Sequence, residues 1–564
     1  MTPDRLLAEF SRVADAPDAV PRLRRSVLDL AVRGKLVPQD PADEPASALL
    51  KRIAGENARL VKAGVIKEKV ASSPCALPDD LPQGWVVTRL QNLCSSITDG
   101  DHLPPPKAGM GVPFLVIGNV RSRRIDFDGC RFVPQSYFDA LNPISKPQAG
   151  DLLYTLVGSY GIPVVVDDVG PFCVQRHIGI LRPSRLMDVG YLARVMESGL
   201  ILHQATACAT GIAQKTVPLS GLRNIAIPLP PLAEQHRIVA KVDELMALCD
   251  RLAAARRERE ATRDRLTAAS LARLNTPDPD PALFAAHARF ALTTLPTAIT
   301  RPDQIKPLRQ TILNLAVRGL LVPQDSNDKP PRMPMLREVS AASGLDEEVF
   351  EQARNLIMLP SGWLIAPLAQ LSEHIVDCPH TTPKWTEQGE ICIRTNQLRA
   401  GNLDLSEPRY VSQETYLERI ERLEPRADDI LYSREGGILG IACRVPKGVR
   451  LCLGQRLMLI RAAKIVGPDF LEIVLNSPFI TDLAKARTTG GAAPRVNMST
   501  VRAYPIPLPP LAEQHRIVAR VASLMTLCDR LEASFAVGAT IRTRLLEALL
   551  AEALAPTEAR EEAA

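Results

Sequence analysis

Two stretches of the chain combine cationic, amide and imidazole side chains with segments rich in Gly and Pro. Arg and Lys donate hydrogen bonds to guanine and to phosphate oxygens, and Asn and Gln can pair with adenine. The candidates in the first stretch are His102, Lys107, Arg121, Arg123, Arg124, Gln175, Arg176, His177, Gln214 and Lys215. The candidates in the second stretch are His380, Lys384, Arg394, Asn396, Gln397, Arg399, Arg434, Gln455, Arg456, Arg495 and Asn497. These residue types predict reversible contact with nucleic acid rather than bond-making chemistry.

The sequence lacks the usual motifs for group transfer. No N-P-P-[YF] or D-P-P-[YF] adenine-methylating motif is found, and the nearest string, Asn142-Pro143-Ile144-Ser145, lacks the second proline and the aromatic residue. There is no G-x-x-x-x-G-K-[ST] phosphate loop and no histidine pair at zinc-ligand spacing. We therefore expect no catalytic residue, no metal site and no cofactor in this chain.

The composition is typical of a soluble protein with several domains. Of the 564 residues, 46% are hydrophobic and 23% are charged, and the net charge is +5. This charge permits nucleic-acid binding without a basic tail. The eleven cysteines form no C-x-x-C pair, which predicts neither a zinc cluster nor a disulfide framework and fits the cytoplasm. Long apolar segments are absent, so we expect no membrane span and no export signal.

The strongest signal is an internal duplication with an offset of 279 residues. The segment from Ile227 to Val242 reads IPLPPLAEQHRIVAKV, and the segment from Ile506 to Val521 differs from it at one position. Two shorter repeats lie upstream: LDLAVRGKLVPQD (28–40) with LNLAVRGLLVPQD (313–325), and LPQGW (81–85) with LPSGW (359–363). Each repeat is therefore a whole domain with its connector.

Between these blocks the two copies share only scattered residues. The shared marks are Asp99 and His102 with Asp377 and His380, GDLLYT (150–155) with DDILYS (428–433), Gln175-Arg176 with Gln455-Arg456, and Thr210-Gly211 with Thr489-Gly490. One fold that carries two different surfaces explains this pattern. The alternative is drift after duplication, with no divergence of binding.

A long helix is predicted after each proline pair of the repeat. Pro231 suits the first helical position, and the charge of Glu234 favours the helix dipole. A helix from residue 231 to about residue 274 would be about 65 Å long, and the second copy extends to about Leu554. The apolar heptad seam contains Ile238, Val242, Leu245, Cys249 and Leu252 in the first helix and Ile517, Val521, Leu524, Cys528 and Leu531 in the second.

Short apolar runs bounded by Gly, Pro and Asp predict strands before each long helix. The runs are VPFLVIGNV (112–120), IPVVVDD (162–168) and HIGILRP (177–183) in the first copy, and EICIRTNQL, GIACRVP and RLMLIRA in the second. Helices are predicted near 188–204 and 468–487. The predicted fold class is α+β, with two mixed α/β domains separated by two long helices.

The two seams are nearly identical, so a contact between them would be self-complementary about a pseudo-two-fold axis. We expect the antiparallel form, which would place the two domains at opposite ends of a helical rod. The rod would then act as a ruler, with a span comparable to one turn of DNA, about 34–36 Å. Two DNA-binding surfaces joined by a rigid spacer gain avidity only where both half-sites are present at the matching separation.

The duplicated P-L-P-P-L-A-E-Q-x-R-I-V and the long helix after it resemble the conserved regions of the specificity (S) subunit of type I restriction–modification systems. The blocks AVRGKLVPQDPADEPASALLKRI and LPQGW resemble the same family, and the resemblance extends over nearly the whole chain. It implies two target-recognition domains that each read half of a split, asymmetric DNA site. The implied boundaries are an N-terminal helical region 1–80, recognition domain 81–229, spacer helix 230–275, helical linker 276–358, recognition domain 359–508 and spacer helix 509–564.

The resemblance also implies the partners. These are double-stranded DNA, two methyltransferase (M) subunits docked on the helical frame, and two restriction (R) subunits. S-adenosylmethionine, ATP and Mg would be bound by those partners, and this chain would be a non-catalytic subunit. The nuclease and helicase signatures of an R subunit are missing here. The alternative is a bivalent protein-binding adaptor on the same ruler, which the modest net charge favours.

Polar residues shared by both copies are weaker candidates for base reading than unshared ones. A shared residue such as His102 or His380 shapes a loop or contacts phosphate, because the two domains are expected to read different bases. Unshared residues such as Lys215 and Asn396 are better candidates. The arginines of 121–124 could instead form a solvated turn.

Overall fold

The computed structural model describes residues 15–66, 81–102, 104–121, 123–211, 214–276, 280–332, 346–489 and 494–554. The chain forms two compact units, residues 1–258 with 539–564 and residues 259–538. Within the predicted N-terminal region and linker, residues 1–14, 67–80, 277–279 and 333–345 lie outside the described residues, as does Gly490. In the part of the chain that is described, no helix is both long and apolar enough to cross a membrane.

The first unit mixes short strands with helices. Its strands are β1 (Val86–Arg89), β2 (Cys94–Asp99), β3 (Val112–Leu115), β4 (Val120–Arg121), β5 (Arg124–Ile125), β6 (Arg131–Val133), β7 (Leu152–Thr155), β8 (Pro163–Val165), β9 (Cys173–Val174), β10 (Ile178–Pro183) and β11 (Ala226–Leu229). Its helices are α1 (Ala19–Val32), α2 (Ala46–Lys62), α3 (Leu90–Leu93), α4 (Gln135–Ala140), α5 (Val189–Glu197), α6 (Gly199–Cys208), α7 (Leu219–Asn224) and the first part of α8 (Leu232–Asn275).

The second unit has the same kinds of element. Its strands are β12 (Leu364–Pro367), β13 (Ser372–Asp377), β14 (Trp385–Thr386), β15 (Glu390–Ile393), β16 (Leu398–Arg399), β17 (Asn402–Leu403), β18 (Tyr410–Val411), β19 (Ile430–Ser433), β20 (Ala442–Arg444), β21 (Leu451–Leu453), β22 (Leu457–Ala462) and β23 (Pro505–Leu508). Its helices are α9 (Pro281–Ala298), α10 (Ile305–Val317), α11 (Glu347–Arg354), α12 (Gln413–Ile420), α13 (Pro468–Asn476), α14 (Pro478–Ala486), α15 (Met498–Arg502) and most of α16 (Leu511–Leu554).

One sheet topology occurs in both units. The main antiparallel sheet has the order β2-β10-β7-β8 in the first unit and β13-β22-β19-β20 in the second. A smaller mixed sheet joins β3 to β6 and to the parallel strand β9, and β15 joins β18 and the parallel strand β21 in the same way. The first and last strands of each domain also pair, β1 with β11 and β12 with β23. The prediction of one fold beneath two divergent sequences is confirmed.

The strands and helices predicted from the apolar runs are present. The runs at 112–120, 162–168 and 177–183 contain β3, β8 and β10, and the helical patch near 188–204 contains α5 and α6. Every residue of Leu152–Thr155 is buried, because β7 is an inner strand of the main sheet. The sequence of a strand that is covered on both faces is a continuous apolar run rather than an alternation of apolar and polar residues.

Within the first unit, α1 and the residues that flank it contact the middle of α8 and the end of α16. The pairs are Arg24 with Asp250 and Ala16 with Arg256 along α8, and Arg22 with Glu547 and Lys35 with Leu554 along α16. The residue numbers run in opposite senses along α1 and α8, and in the same sense along α1 and α16. The portions of the two long helices in this unit are therefore antiparallel.

Within the second unit, α10 has the corresponding position. The pairs are Gln304 with Asp264 and Thr311 with Asn275 along α8, and Arg309 with Asp529 and Gln324 with Glu513 along α16. Here α10 is parallel to the end of α8 and antiparallel to the start of α16. The predicted antiparallel direction is confirmed inside each unit, and each long helix contains 44 residues.

Most of the seam residues belong to the core of their own unit, which corrects the expectation that each seam is covered by the other. Leu245 is only half-buried, and the neighbouring Met246 is buried instead. Ile238 and Val242 lie in one buried cluster with strand residues of the first domain and with Leu28 of α1. The far end of this seam, at Cys249 and Leu252, shares a cluster with the end of α16. The seam is therefore covered by its own recognition domain, by α1 and by the end of α16.

The same correction applies to the second seam. Ile517, Val521 and Cys528 are buried in the core of the second domain, and Leu524 and Leu531 pack at its edge. The heptad spacing correctly identified the buried face of each helix, because the period of an apolar stripe records that a face is covered. The period does not record what covers it.

A buried network explains why the repeated blocks are nearly identical. The indole N–H of Trp85 donates to Glu234 at 2.9 Å, and the amide of Gln39 donates to the other oxygen of the same carboxylate at 3.0 Å. The second copy repeats this arrangement with Trp363, Gln324 and Glu513 at 3.0 and 3.1 Å. The network joins the VPQD block, the first strand and the long helix of each domain.

Replacing Glu234 by Ala should therefore destabilise the first unit. Glu234 is 1% exposed, and removal of its carboxylate leaves the buried indole N–H of Trp85 unpaired, whereas Gln39 keeps its hydrogen bond to the backbone oxygen of Gly34. An unpaired buried donor costs about 1–3 kcal/mol, so we expect the free energy of unfolding to fall by about that amount in a denaturant titration. The exposed Glu244, paired with Lys241 at 2.9 Å, provides the control, and E244A should change it by less than about 0.5 kcal/mol. Equal effects of the two substitutions would contradict the network.

Candidate nucleic-acid interface

Several loops of the first domain emerge at one end of its main sheet. Asp99 pairs with Gly179, and Thr155 pairs with Ile178, so the loops after β2, before β10 and after β7 lie at the same end. A bridge from Val157 to Thr216 adds a fourth segment. We call this surface the first loop end, defined by residues 100–102, 156–162, 175–177 and 214–216.

Six of the ten candidates in the first domain lie at the first loop end. They are His102, Gln175, Arg176, His177, Gln214 and Lys215. The side chain of His102 is 68% exposed and lies 3.2 Å from Asp99. Burial, and then the nearby Arg176, lowers the pKa of His177. The neutral ring accepts a hydrogen bond from Arg176 at 3.3 Å.

The other candidates of the first domain lie apart from this end. Arg121 and Arg124 both face Asp126, at 3.1 and 3.9 Å, on the hairpin formed by β4 and β5. Arg123 lies at the tip of the hairpin with φ +63° and contacts Glu197 at 3.4 Å. Lys107 is exposed beside a bridge of the smaller sheet. The hairpin arginines are therefore held in ion pairs with the domain's own carboxylates.

The second domain has the equivalent surface. Asp377 pairs with Met458 and Ser433 with Leu457, which places the corresponding loops at one end of the main sheet. We call this surface the second loop end, defined by residues 378–382, 434–441, 454–456 and 494–497. The candidates there are His380, Arg434, Gln455, Arg456, Arg495 and Asn497. The two domains thus bring matched groups of candidates to matched surfaces.

The contacts at the second loop end bind its segments to one another. Gln455 donates to the backbone oxygen of His380 at 2.7 Å, and His380 lies 3.3 Å from Asp377. Backbone bridges join Arg495 to Glu435 and to Thr489. His380, Arg495 and Asn497 remain exposed, so their side chains are accessible to a partner.

Two candidates of the second domain are buried with partners inside the domain. Arg434 is 7% exposed and forms a bidentate pair with Asp377, with distances of 3.1 and 2.6 Å. The side chain of Gln397 is buried and accepts from the backbone N–H of Arg394 at 2.9 Å. These side chains stabilise the positions of loops, and their residue types alone did not reveal this.

The remaining candidates lie beside the smaller sheet of the second domain. Lys384 and Asn396 are exposed, and Arg394 is half-buried. Arg399 is exposed and donates to the backbone oxygen of Asn396 at 2.7 Å, and it lies 3.5 Å from Asp404. The candidates in each domain therefore divide into a loop-end group and a second group, which lies on the hairpin of β4 and β5 or beside the smaller sheet.

The sequence reasoning missed residues that contact the loop ends from neighbouring elements. Arg422 is exposed and donates to the backbone oxygen of Asp377 at 3.2 Å. Tyr137 and Arg419 contact the same regions from helices α4 and α12. These residues have no counterpart of the same type in the other copy, so comparison of the repeats could not find them.

The described residues contain no group of three or more His, Cys, Asp or Glu side chains arranged to hold a metal ion. The arrangement instead combines exposed cations, amides and imidazoles at two equivalent loop ends. Such side chains can contact phosphates and base edges, and the fold holds them on loops at the ends of paired strands.

Comparison with known proteins agrees with this geometry. The family model described as "Type I restriction modification DNA specificity domain" matches residues 82–262 and 386–534. The specificity subunit of the type I restriction enzyme EcoEI of Escherichia coli is 27% identical, over 95% of this chain and 94% of that protein. The EcoAI specificity subunit of Escherichia coli is 28% identical, over 91% of this chain and 90% of that protein.

A crystal structure of the HsdS subunit from Thermoanaerobacter tengcongensis is 20% identical with a TM-score of 0.43, and the match covers 85% of this chain and 98% of that chain. The family model matches more than half of the present sequence, in one block that contains the first domain and another that contains most of the second, and each block extends into the following long helix. The chain therefore belongs to the family of type I restriction–modification DNA specificity domains.

Proposed function

We propose that this specificity subunit recognises a bipartite DNA site, with each loop end reading one half. The observation that carries the proposal is that two domains with the same main-sheet topology present exposed side chains at equivalent loop ends, some of them unlike in the two copies. The unshared exposed residues Lys215, at the first loop end, and Asn396, beside the smaller sheet of the second domain, are the preferred base-reading candidates. The shared His102 and His380 are preferred for phosphate contact.

We also propose that the constant helices dock two methyltransferase subunits, with restriction subunits in the full complex. The first parts of the two long helices have the same residues at several exposed positions. Leu248 and Leu527 occupy matched positions and are 43% and 47% exposed. His236 and His515 are exposed at matched positions as well. Identity at an exposed position is expected where two copies of one partner bind.

The chemistry then belongs to the partners. The methyltransferase subunits would use S-adenosylmethionine to methylate adenine, and the restriction subunits would hydrolyse ATP and cut. This chain supplies the two base-contacting surfaces and the helices that hold the partners.

The direct test is a methylation map of a host that carries the methyltransferase subunit, with and without this chain. We expect adenine methylation at a sequence with two specified halves separated by unspecified bases, present only when the chain is expressed. The purified complex should bind this sequence with an affinity that falls steeply with salt, because phosphate contacts release counterions. Methylation at a single uninterrupted sequence, or salt-insensitive capture of polypeptides instead of DNA, would contradict the proposal.

A further inference from the structure

A histidine in the segment that follows β2, and the matched histidine after β13, are held in the same way. His102 lies 3.2 Å from Asp99, and His380 lies 3.3 Å from Asp377. Because these pairs are the same in both domains, they cannot explain why the two domains would read different bases. The difference must arise from the elements that hold the rest of each segment.

In the first domain, helix α4 holds this segment through Tyr137. The Tyr137 hydroxyl donates to Oδ2 of Asp101 at 2.8 Å. Asp101 also forms a parallel backbone bridge with Gln175, which precedes β10. Burial, and then the hydrogen bond to Asp101, raises the pKa of Tyr137, so the hydroxyl remains a donor at neutral pH. One side chain thus joins the helix to two segments of the first loop end.

In the second domain, helix α12 performs the same task with different chemistry. Arg419 is 7% exposed and donates to the backbone oxygens of Leu453 at 2.9 Å and Thr381 at 2.5 Å. Among the described residues, no ion pair links Arg419 to a carboxylate, and its Nε has no hydrogen-bond partner. Burial of a cation without an acid is costly, so the carbonyls of Thr381 in the loop and of Leu453 at the end of β21 are the contacts that stabilise it.

The two helices are equivalent, but the two tethers are not. Helix α4 follows β6, and helix α12 follows the corresponding strand β18. When these strands are aligned, Tyr137 matches Thr415 and Arg419 matches Leu141. Each domain therefore fastens the same segment from a different position, with a neutral donor in one case and a cation in the other.

We propose that Tyr137 and Arg419 are positioning residues that set the shape of the recognition segment in their own domain, and so determine which bases that domain accepts. This inference rests on the proposed bipartite function. Neither side chain needs to contact DNA: each acts through the loop that it fastens to the helix. A displacement of a few tenths of an ångström is enough to weaken a bidentate contact with a base.

The test uses Y137F and R419Q in the complete chain with its methyltransferase subunit, and scores methylation at every half-site variant. We expect Y137F to reduce discrimination at the first half-site about fivefold to tenfold, the change for the loss of one hydrogen bond, and to leave the second half-site unchanged. R419Q should do the reverse. Each variant therefore contains its own control in the untouched half.

Further variants separate positioning from a DNA contact or from general destabilisation. D101N keeps an acceptor for Tyr137 and should preserve discrimination, D101A should lose it, and Y137F/D101A should be no worse than either single variant. The salt dependence of binding should not change, whereas loss of a phosphate contact would lower its slope by about one. Thermal unfolding of each variant measures any loss of folding.

Three results would overturn the inference. They are equal relaxation of both half-sites, an unchanged first half-site in Y137F, and a reduced salt slope in either variant. All three leave the proposed function intact if the parent chain still directs methylation to a bipartite sequence. If the parent chain itself shows no bipartite sequence, the proposed function fails, and this inference fails with it.

Discussion

A chain that carries the second recognition domain twice should direct methylation to a site in which the second half-sequence occurs twice and the first half-sequence is absent. The substitution places residues 326–505 where residues 41–226 stand. Both boundaries fall inside identical sequence, VPQD on one side and IPLPP on the other. The buried Trp–Glu–Gln network is the same in both copies, so the transplanted domain meets the contacts it has in its own unit.

The early boundary follows from the packing of the first unit. Helix α2 is buried against the first domain through Leu49 and Ile53, and Asn57 donates to the backbone oxygen of Asn92 at 3.2 Å. A domain moved without its own preceding segment would meet a foreign helix. Exchange from residue 41 onward carries that segment with the domain and keeps the ion pair of Arg237 available, because Asp328 supplies the carboxylate that Asp43 supplies in the parent.

One contact between α1 and the first domain would be lost in the duplicated chain, so a second substitution is required. Asp29 of α1 accepts a hydrogen bond from the backbone N–H of Gly199 at 3.1 Å, and burial raises its pKa. The second domain has Pro478 at the matched position, and proline has no N–H. Helix α10 of the second unit has Asn314 at the position that corresponds to Asp29. The duplicated chain should therefore carry D29N, which removes a carboxylate that would be buried without its donor.

The reciprocal chain provides the matched control. Residues 41–226 placed at 326–505, together with N314D, should yield the first half-sequence twice. A map of methylated adenines in the host reports both outcomes, and thermal unfolding shows that both chains fold. Methylation at the parent's DNA site by either duplicated chain would show that the domains do not read DNA independently. Loss of recognition of both half-sites at once would show the same.

The second large effect is expected from charging the matched leucines of the long helices. L248K/L527K should abolish assembly with the methyltransferase subunit, because each substitution removes an apolar contact and places a charge in the interface. Loss of one interface leucine costs about 1.5–3 kcal/mol, and burial of the new ammonium adds to this, so each site should weaken by at least about 30-fold. Methylation in the host should fall in proportion to the loss of the assembled complex.

The single variants sharpen this prediction. L248K alone should leave one docking site, so the complex should contain one methyltransferase subunit per chain when its mass is measured. Leu417, which is 54% exposed in helix α12 and has no matched leucine, provides the control, and L417K should assemble normally. A double variant that assembles as well as L417K would show that the partner does not bind at these leucines.

Much of the fold could be predicted from the sequence, because the relevant signals are local or repeated. The proline pair and the heptad spacing predicted helices close to Leu232–Asn275 and Leu511–Leu554. The apolar runs predicted strands such as the inner strand β10, since burial of both faces leaves little room for polar residues. Long-range pairing left no such signal, so the seams were assigned to each other although each packs into its own domain.

Part of the candidate interface could also be predicted. Polar residues in Gly- and Pro-rich loops were identified by type, and the structure places His102, Gln175 and Lys215 at one loop end although they are distant in the sequence. Burial was not predictable from type, because Arg434 has the same chemistry as an exposed arginine until Asp377 pairs with it. Tyr137 was missed because its role depends on one hydrogen bond to Asp101.

The sequence by itself determined the duplication, the constant frame and the long helices, because identity between copies and apolar periodicity are properties of the chain alone. Only the tertiary structure decided which polar side chains meet at each loop end, which are buried in ion pairs, and what covers each seam. These depend on the pairing of strands such as β2 with β10, which are far apart in the chain. Such contacts form only when the chain folds, so residue type and spacing alone cannot predict them.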